Sequence, residues 1–304
     1  TFSPEPGGTR LELGQASARV GQIKLQGTGE AQLAYLTVPE LHRNSYDFVA
    51  TIAAPRQDFA GGLRVQDVVG TVSLRTDEQG RQIVTVDGVG ARVGDGRVTL
   101  GGEMELLSFV PAEMVRNRYD LTLSVDHARP RYSNLFVGTL DGTVRATTPG
   151  PGEPVRIAGS VTVSRAEVGM PPAPQQPVVE LTGMPEWFPA PVLALNLGVG
   201  EDVVFKTAGI SAPLQPNPVA VTVTGTPQRP VITGTIEAQE GRASVPAGAL
   251  DVGAAGVQFA VRPALGTGQV RPPVPLEVTG RVWGTATKRI AGVSVGGRDI
   301  GTLD

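Results

Sequence analysis

The chain predicts an all-β fold: an elongated, curved β-sheet forming an open β-groove with an apolar concave face and little helix. Three observations predict it. Apolar and polar residues alternate with period two through most of the 304 residues, the pattern of strands that bury one face. Glycine (40 residues) and proline (26 residues) are abundant, which supplies many turns without reaching the content of a disordered chain. Hydrophobic residues still make up 40%, with 5% aromatic and 18% charged, so there is apolar material for a large face and little charge to interrupt it.

Taken in order, the alternation begins at Leu11 and Leu13 and runs strongly from Val98 to Leu106. Tyr119, Leu121, Leu123 and Val125 then alternate with Asp120, Thr122, Ser124 and Asp126. Val155, Ile157, Gly159, Val161 and Val163 share a face opposite Arg156, Ser160, Thr162 and Ser164. Further strands are expected at Leu193–Val199, at Val219, Val221 and Val223, at Val257–Val261 and at Val274–Val282. One apolar and one polar face in each implies an antiparallel or mixed sheet with a wet side. Helical periodicity is confined to Pro111–Arg118 and Glu40–Tyr46, and without βαβ units a Rossmann nucleotide-binding fold is not expected.

A glycine recurs at one position of an alternating motif: Gly70, Gly102, Gly142, Gly159, Gly234 and Gly280, each two residues before an apolar residue. Glycine inside a strand marks a bend or a close approach, so its repetition on the apolar face predicts a sheet that curves around something. The proline-rich stretches 147–154 and 171–177 are expected to be long hairpin loops on one continuous sheet. Residues 1–150 and 151–304 are then two segments of the same groove.

Composition excludes several functions. With no cysteine there are no disulfides, thiolate metal sites or cysteine nucleophiles. A net charge of -3 argues against nucleic acid as a partner. The longest uncharged stretch, 207–228, holds four prolines and cannot be a membrane-spanning helix. The chain opens on Thr1 rather than Met and reads as a piece of something longer, with any membrane anchor expected outside it.

No catalytic constellation emerges, and the protein is expected not to be an enzyme and to carry no cofactor or metal. His42 and His127 are the two histidines. Asp126 precedes His127, but neighbours on a strand point to opposite faces, so the two are not expected to form a dyad without a bulge. Glu103 with Glu105, and Glu237 with Gln239, read as solvated polar faces. Neither GxxxxGK[ST] nor GxSxG occurs. Trp187 and Phe188, among prolines, are expected to tuck into the local core, whereas Trp283 falls on the nominally polar side of its strand.

From Ala190 onward the order of features is familiar. Pro191-Val-Leu-Ala-Leu-Asn-Leu197 is followed by Asp202-Val-Val-Phe-Lys206, and then by Val221-Thr-Val-Thr-Gly-Thr-Pro-Gln-Arg-Pro230. Val231-Ile-Thr-Gly-Thr-Ile-Glu-Ala-Gln-Glu-Gly-Arg242, Gly256-Val-Gln-Phe259 and Pro275-Leu-Glu-Val-Thr-Gly280 complete it. This resembles the C-terminal region of the TamB translocation and assembly module family, in the AsmA-like group. Residues 97–171 look like a weaker upstream repeat, whereas residues 1–95 fit in general character alone.

The resemblance implies a taco-like sheet in the periplasm or cell envelope. Its partners would be phospholipid acyl chains and, through parts outside this chain, an Omp85-type outer-membrane barrel. The implied work is carriage of lipid between inner and outer membrane and support of outer-membrane assembly. The predicted groove lining is Val155, Ile157, Val161, Val163, Val219, Val221, Val223, Ile232, Ile236, Val257, Phe259 and Val261. About twenty strands at ~4.8 Å would give a length on the order of 100 Å. Two other readings use the same strands: a closed structural rod with a filled interior, and a chaperone groove that pairs with outer-membrane protein strands.

Overall fold

The structure is a computed structural model. It describes residues 2–5, 8–20, 23–58, 64–110, 113, 116–132, 136–150, 153–169, 191–207, 210–227, 229–245, 248–253, 255–263, 276–283, 286–287, 294–295 and 298–299. Strand takes up 78% and helix 4%. The first half contains β1 (Phe2–Glu5), β2 (Gly8–Val20), β3 (Ile23–Leu33), β4 (Ser45–Asp58), β5 (Arg64–Thr76) and β6 (Gln82–Val93). These are followed by β7 (Gly96–Leu106), β8 (Arg118–Ala128), β9 (Arg131–Tyr132) and β10 (Phe136–Thr147). The second half runs through β11 (Arg156–Gly169), β12 (Val192–Val199), β13 (Val203–Thr207), β14 (Ile210–Pro213), β15 (Asn217–Thr226) and β16 (Arg229–Ala238). Then come β17 (Gly241–Val245), β18 (Gly248–Val252), β19 (Ala255–Pro263), β20 (Leu276–Trp283) and β21 (Ala286–Thr287). The short β22 (Ser294–Val295) and β23 (Arg298–Asp299) pair separately.

Strands β1 to β21 form one sheet of 21 strands, open and mixed, which does not close into a barrel. Its pairing runs β1 to β8 in sequence order, then β10, β11, β12, β15, β16, β19 and β20. These are fifteen rungs. Most of the remaining strands are continuations: β13, β14, β17, β18 and β21 pair beside one another and extend the last rungs past a break. The length is therefore about 65 Å for fifteen rungs at ~4.8 Å, shorter than a count of strands from sequence suggests, because several strands are halves of one rung.

β11 pairs in parallel with β12 and β13, whereas every other pairing among the described residues is antiparallel. A parallel pair needs a crossover of a dozen or more residues. The second proline-rich stretch, 171–177, lies inside that crossover and outside the described residues, as do Trp187 and Phe188. The first, 147–154, is the hairpin connection between β10 and β11, as expected, and the sheet runs unbroken through it. A 3-10 segment, Val38–Arg43, stands where a short helix was expected near Glu40–Tyr46. The other expected helix, Pro111–Arg118, lies partly outside the described residues, and its end at Arg118 already belongs to β8.

Curvature comes from a line of irregularities crossing the sheet. Asp67, His127, Arg165 and Asp202 are the non-glycine residues with positive φ. Each sits where the register shifts or a rung breaks. Bulges bend a strand and raise its twist, so a row of them folds the sheet. The backbone stays satisfied along the line: Arg165 donates to the Glu201 carbonyl at 2.8 Å and Ala166 to that of Asp202 at 3.0 Å.

The buried apolar residues, among them Ala31, Ala54, Leu106, Tyr119, Ala128, Val155, Ala166 and Val203, lie at strand ends and along the bend. The middle of the apolar face is half-buried. No helical layer covers it among the described residues.

Candidate functional site

In an antiparallel ladder, residues directly opposite share a face, so the register builds the site rung by rung. One rank crosses Val89 on β6, Leu100 on β7, Leu123 on β8, Val144 on β10 and Gly159 on β11. It continues through Leu195 on β12, Val223 on β15, Ile232 on β16, Val261 on β19 and Val278 on β20. A parallel rank runs through Val98, Val125, Gly142, Val161, Leu197, Val221, Gly234, Phe259 and Gly280. Two neighbouring apolar rows thus extend across the second half of the sheet without a polar residue. In the first half Leu25, Ile52, Ala50, Val72, Val86 and Leu121 play the same part.

The recurrent glycines occupy these ranks. Gly102 lies between Val86 and Leu121, Gly142 between Val125 and Val161, and Gly234 between Val221 and Phe259. Each of these glycines therefore leaves a gap between larger apolar residues of its row. Gly102 shows why the residue is needed: its φ is +129°, and a Cβ would collide with the Asp120 carbonyl and the Leu121 backbone.

Ten of the twelve residues predicted from sequence fall by register on this face: Ile157, Val161, Val163, Val221, Val223, Ile232, Ile236, Val257, Phe259 and Val261. The side chains of Phe259 and Val261 lie outside those described. Val155 stands just before β11 and is 3% exposed, packed at the strand end rather than on the open face. Val219 departs from the pattern. The β12–β15 register shifts between Leu197 and Val199, and β15 bulges there, with the Val219 amide donating to Asn217 Oδ1 at 3.0 Å. Val219 is 50% exposed while Ala220 is 1% exposed, so the alternation is inverted at that point.

The other face carries threonines and charges. Two shallow depressions of about 530 Å³ lie on it. One is lined by Thr222, Thr233, Thr235, Gln258, Thr279 and Arg281; the other includes Thr99, Thr122, Ser124 and Arg145. Arg145 there grips Asp120 through both nitrogens at 2.7 and 2.6 Å, and its hydrogen bonds and charge hold that carboxyl below the usual range.

Asp126 and His127 meet through the bulge without which they were not expected to pair. The left-handed backbone of His127, φ +50°, supplies the bulge that brings them together. His127 Nδ1 lies 2.6 Å from Asp126 Oδ1 and 3.3 Å from Asp141 Oδ1, and the His127 amide donates to Asp141 at 2.7 Å. The hydrogen bond that the ring donates to Asp126 and the charge of Asp141 raise the imidazole pKa. The three side chains lie close enough to hold a cation, but Asp126 and His127 are exposed. The cluster ties β8 to β10 and lies off the apolar ranks.

This fold and face define a class: an open, single-layer β-trough whose lining is a set of apolar ranks running from rung to rung. The family model for the TamB C-terminal domain matches residues 87–265, from β6 to just beyond β19. The chain belongs to the TamB family and is a TamB-like cell-envelope protein. No curated protein and no solved structure matches it significantly.

Proposed function

We propose that the trough carries the acyl chains of phospholipid between the inner and outer membrane, without catalysis, and in doing so supports outer-membrane assembly in the periplasm. The observation that carries this reading is the continuity of the two apolar ranks on a face that no other layer covers among the described residues. An apolar face of this extent without a covering layer needs a partner, and rows repeated from rung to rung offer a path rather than a pocket. Each methylene removed from water contributes about 0.8 kcal/mol. Ten methylenes laid along the rows therefore recover about 8 kcal/mol, enough to offset much of the loss from a bilayer. The trough is about twice as long as the ~30 Å hydrocarbon core of a membrane.

The half-buried state of Ile157, Val161, Val221, Val223, Ile232 and Ile236 favours this over a closed rod, whose interior would be sealed. It also favours it over a strand-binding chaperone, for which affinity would come from the sheet edges rather than from the face. Native mass spectrometry of the chain purified from cell envelopes should show phospholipid adducts that survive desalting. A chain that arrives lipid-free, and stays so after incubation with phospholipid vesicles, would contradict the proposal.

A further inference from the structure

One side of the sheet is built twice from the same unit. The sequence Glu40-Leu-His-Arg-Asn-Ser-Tyr-Asp47 returns as Glu113-Met-Val-Arg-Asn-Arg-Tyr-Asp120, and the structure uses the side-chain oxygen of the asparagine alike in both, at the β3–β4 and β7–β8 connections. Asn44 Oδ1 accepts from the amides of Ala34 and Tyr35, both at 2.9 Å. Asn117 Oδ1 accepts from those of Leu107 and Ser108, at 2.9 and 3.0 Å. Arg43 pairs with Glu40 at 3.2 Å and Arg116 with Glu113 at 3.3 Å. Even the next connection is used alike, since the Tyr46 amide donates to Thr76 Oγ1 and the Tyr119 amide to Thr148 Oγ1.

The units are joined to their neighbours and to each other. Gln82 donates to the Asn44 carbonyl at 2.6 Å and accepts from Thr76 at 2.7 Å, fixing the β5–β6 turn to the first unit. Thr148 donates to the Asn117 carbonyl at 3.3 Å, fixing the β10–β11 connection to the second. Phe109 reaches past the two intervening strands to pack against Tyr46, with tilted rings whose centroids are 5.8 Å apart. Asn44, Gln82, Ser108 and Asn117 are each at most 3% exposed, so these polar contacts are made out of water, where losing a partner is costly. The opposite strand ends are held differently: by the exposed ion pairs Asp95–Arg129 and Asp67–Arg92, a kind that contributes little, by the exposed Asp126–His127–Asp141 cluster and by backbone bonds such as Arg129 to Val93, with no buried asparagine or glutamine there among the described residues.

We propose that this side is a rail: two copies of one asparagine-centred unit lock four successive hairpin ends into a single cooperative body, and the opposite strand ends are the side that yields when the trough changes width. Asn44 and Asn117 are its positioning residues, and Phe109 is the coupling between copies. The proposal concerns the mechanics of the sheet and does not depend on what the trough carries.

Native-state hydrogen exchange in increasing guanidinium tests it on the whole chain. The amides of Ala34, Tyr35, Leu107 and Ser108 should merge into one opening isotherm, slower than the amide of Arg129 that bonds Val93 on the far side. Phe109→Ala should split the first pair from the second, and Asn117→Ala should speed exchange at Leu107 and Ser108 at least tenfold. Four separate isotherms in the parent chain, or pairs that stay merged in Phe109→Ala, would overturn the rail.

Discussion

Val221→Asp is expected to lower phospholipid occupancy by tenfold or more while leaving the chain folded. Val221 sits in the second apolar rank between Leu197 and Gly234 and is half-buried in the open trough. In the empty trough a carboxylate there keeps part of its hydration, so the cost to folding is modest. Once an acyl chain lies along the row, that hydration is lost, and burying an unpaired charge costs far more than the ~1.4 kcal/mol that a tenfold loss requires. Thr222→Asp is the control, because Thr222 pairs with Thr233 on the other face and should leave occupancy unchanged. Quantifying co-purified phospholipid per chain for the two variants checks the prediction.

Gly102→Val is expected to destabilise the sheet itself by about 3 kcal/mol or more, combining backbone strain with overpacking. The position has φ +129°, and any Cβ meets the neighbouring β8 backbone, which cannot swing aside as a side chain can. A drop in unfolding midpoint of several degrees, at roughly 2–4 °C per kcal/mol, is the readout. Gly14→Ala is the matched control: nothing lies within 4 Å of a Cβ there and its φ is not positive, so its midpoint should hold or rise slightly. Equal losses in the two variants would mean that the recurrent glycines are turn residues rather than fitted gaps in the ranks.

How far the sequence carried the account depends on the range of each signal. Period-two alternation is local, and it located the strands around Ile157, Val223 and Ile232 along with the face they share. The glycine motif likewise pointed to Gly102, Gly142 and Gly234, because a residue lacking a side chain is conspicuous on an apolar row. Val219 departs because a bulge two residues long interrupts the alternation locally, and the register that creates it depends on Val199 of a different strand. Asp126 and His127 meet for the same kind of reason, since the left-handed turn at His127 is stabilised by Asp141, on the neighbouring β10. The predicted lining also stopped short. Leu100, Leu123 and Leu195 continue the same rank and carried the same alternation.

The asparagine units show a different limit. Their signal, Glu-x-x-Arg-Asn-x-Tyr-Asp, was present twice and nearly unaltered, yet it fell in connections where polar residues are expected anyway. Its meaning depends on buried hydrogen bonds to the amides of residues nine and ten positions earlier, which no periodicity reveals. The parallel placement of β12 against β11 was hidden in the same way, because alternation is identical in parallel and antiparallel strands that share one wet face.

The central claim is that one face of this sheet, and not the other, is the lipid path. Photo-crosslinking residues placed singly at Ile157 and Val221 on the apolar ranks, and at Thr162 and Thr222 on the threonine face, compare the two faces on the same strands. Incubation with phospholipid vesicles followed by illumination should label the first pair strongly and the second at background. Equal labelling of both pairs, or none at either apolar position, would contradict the account.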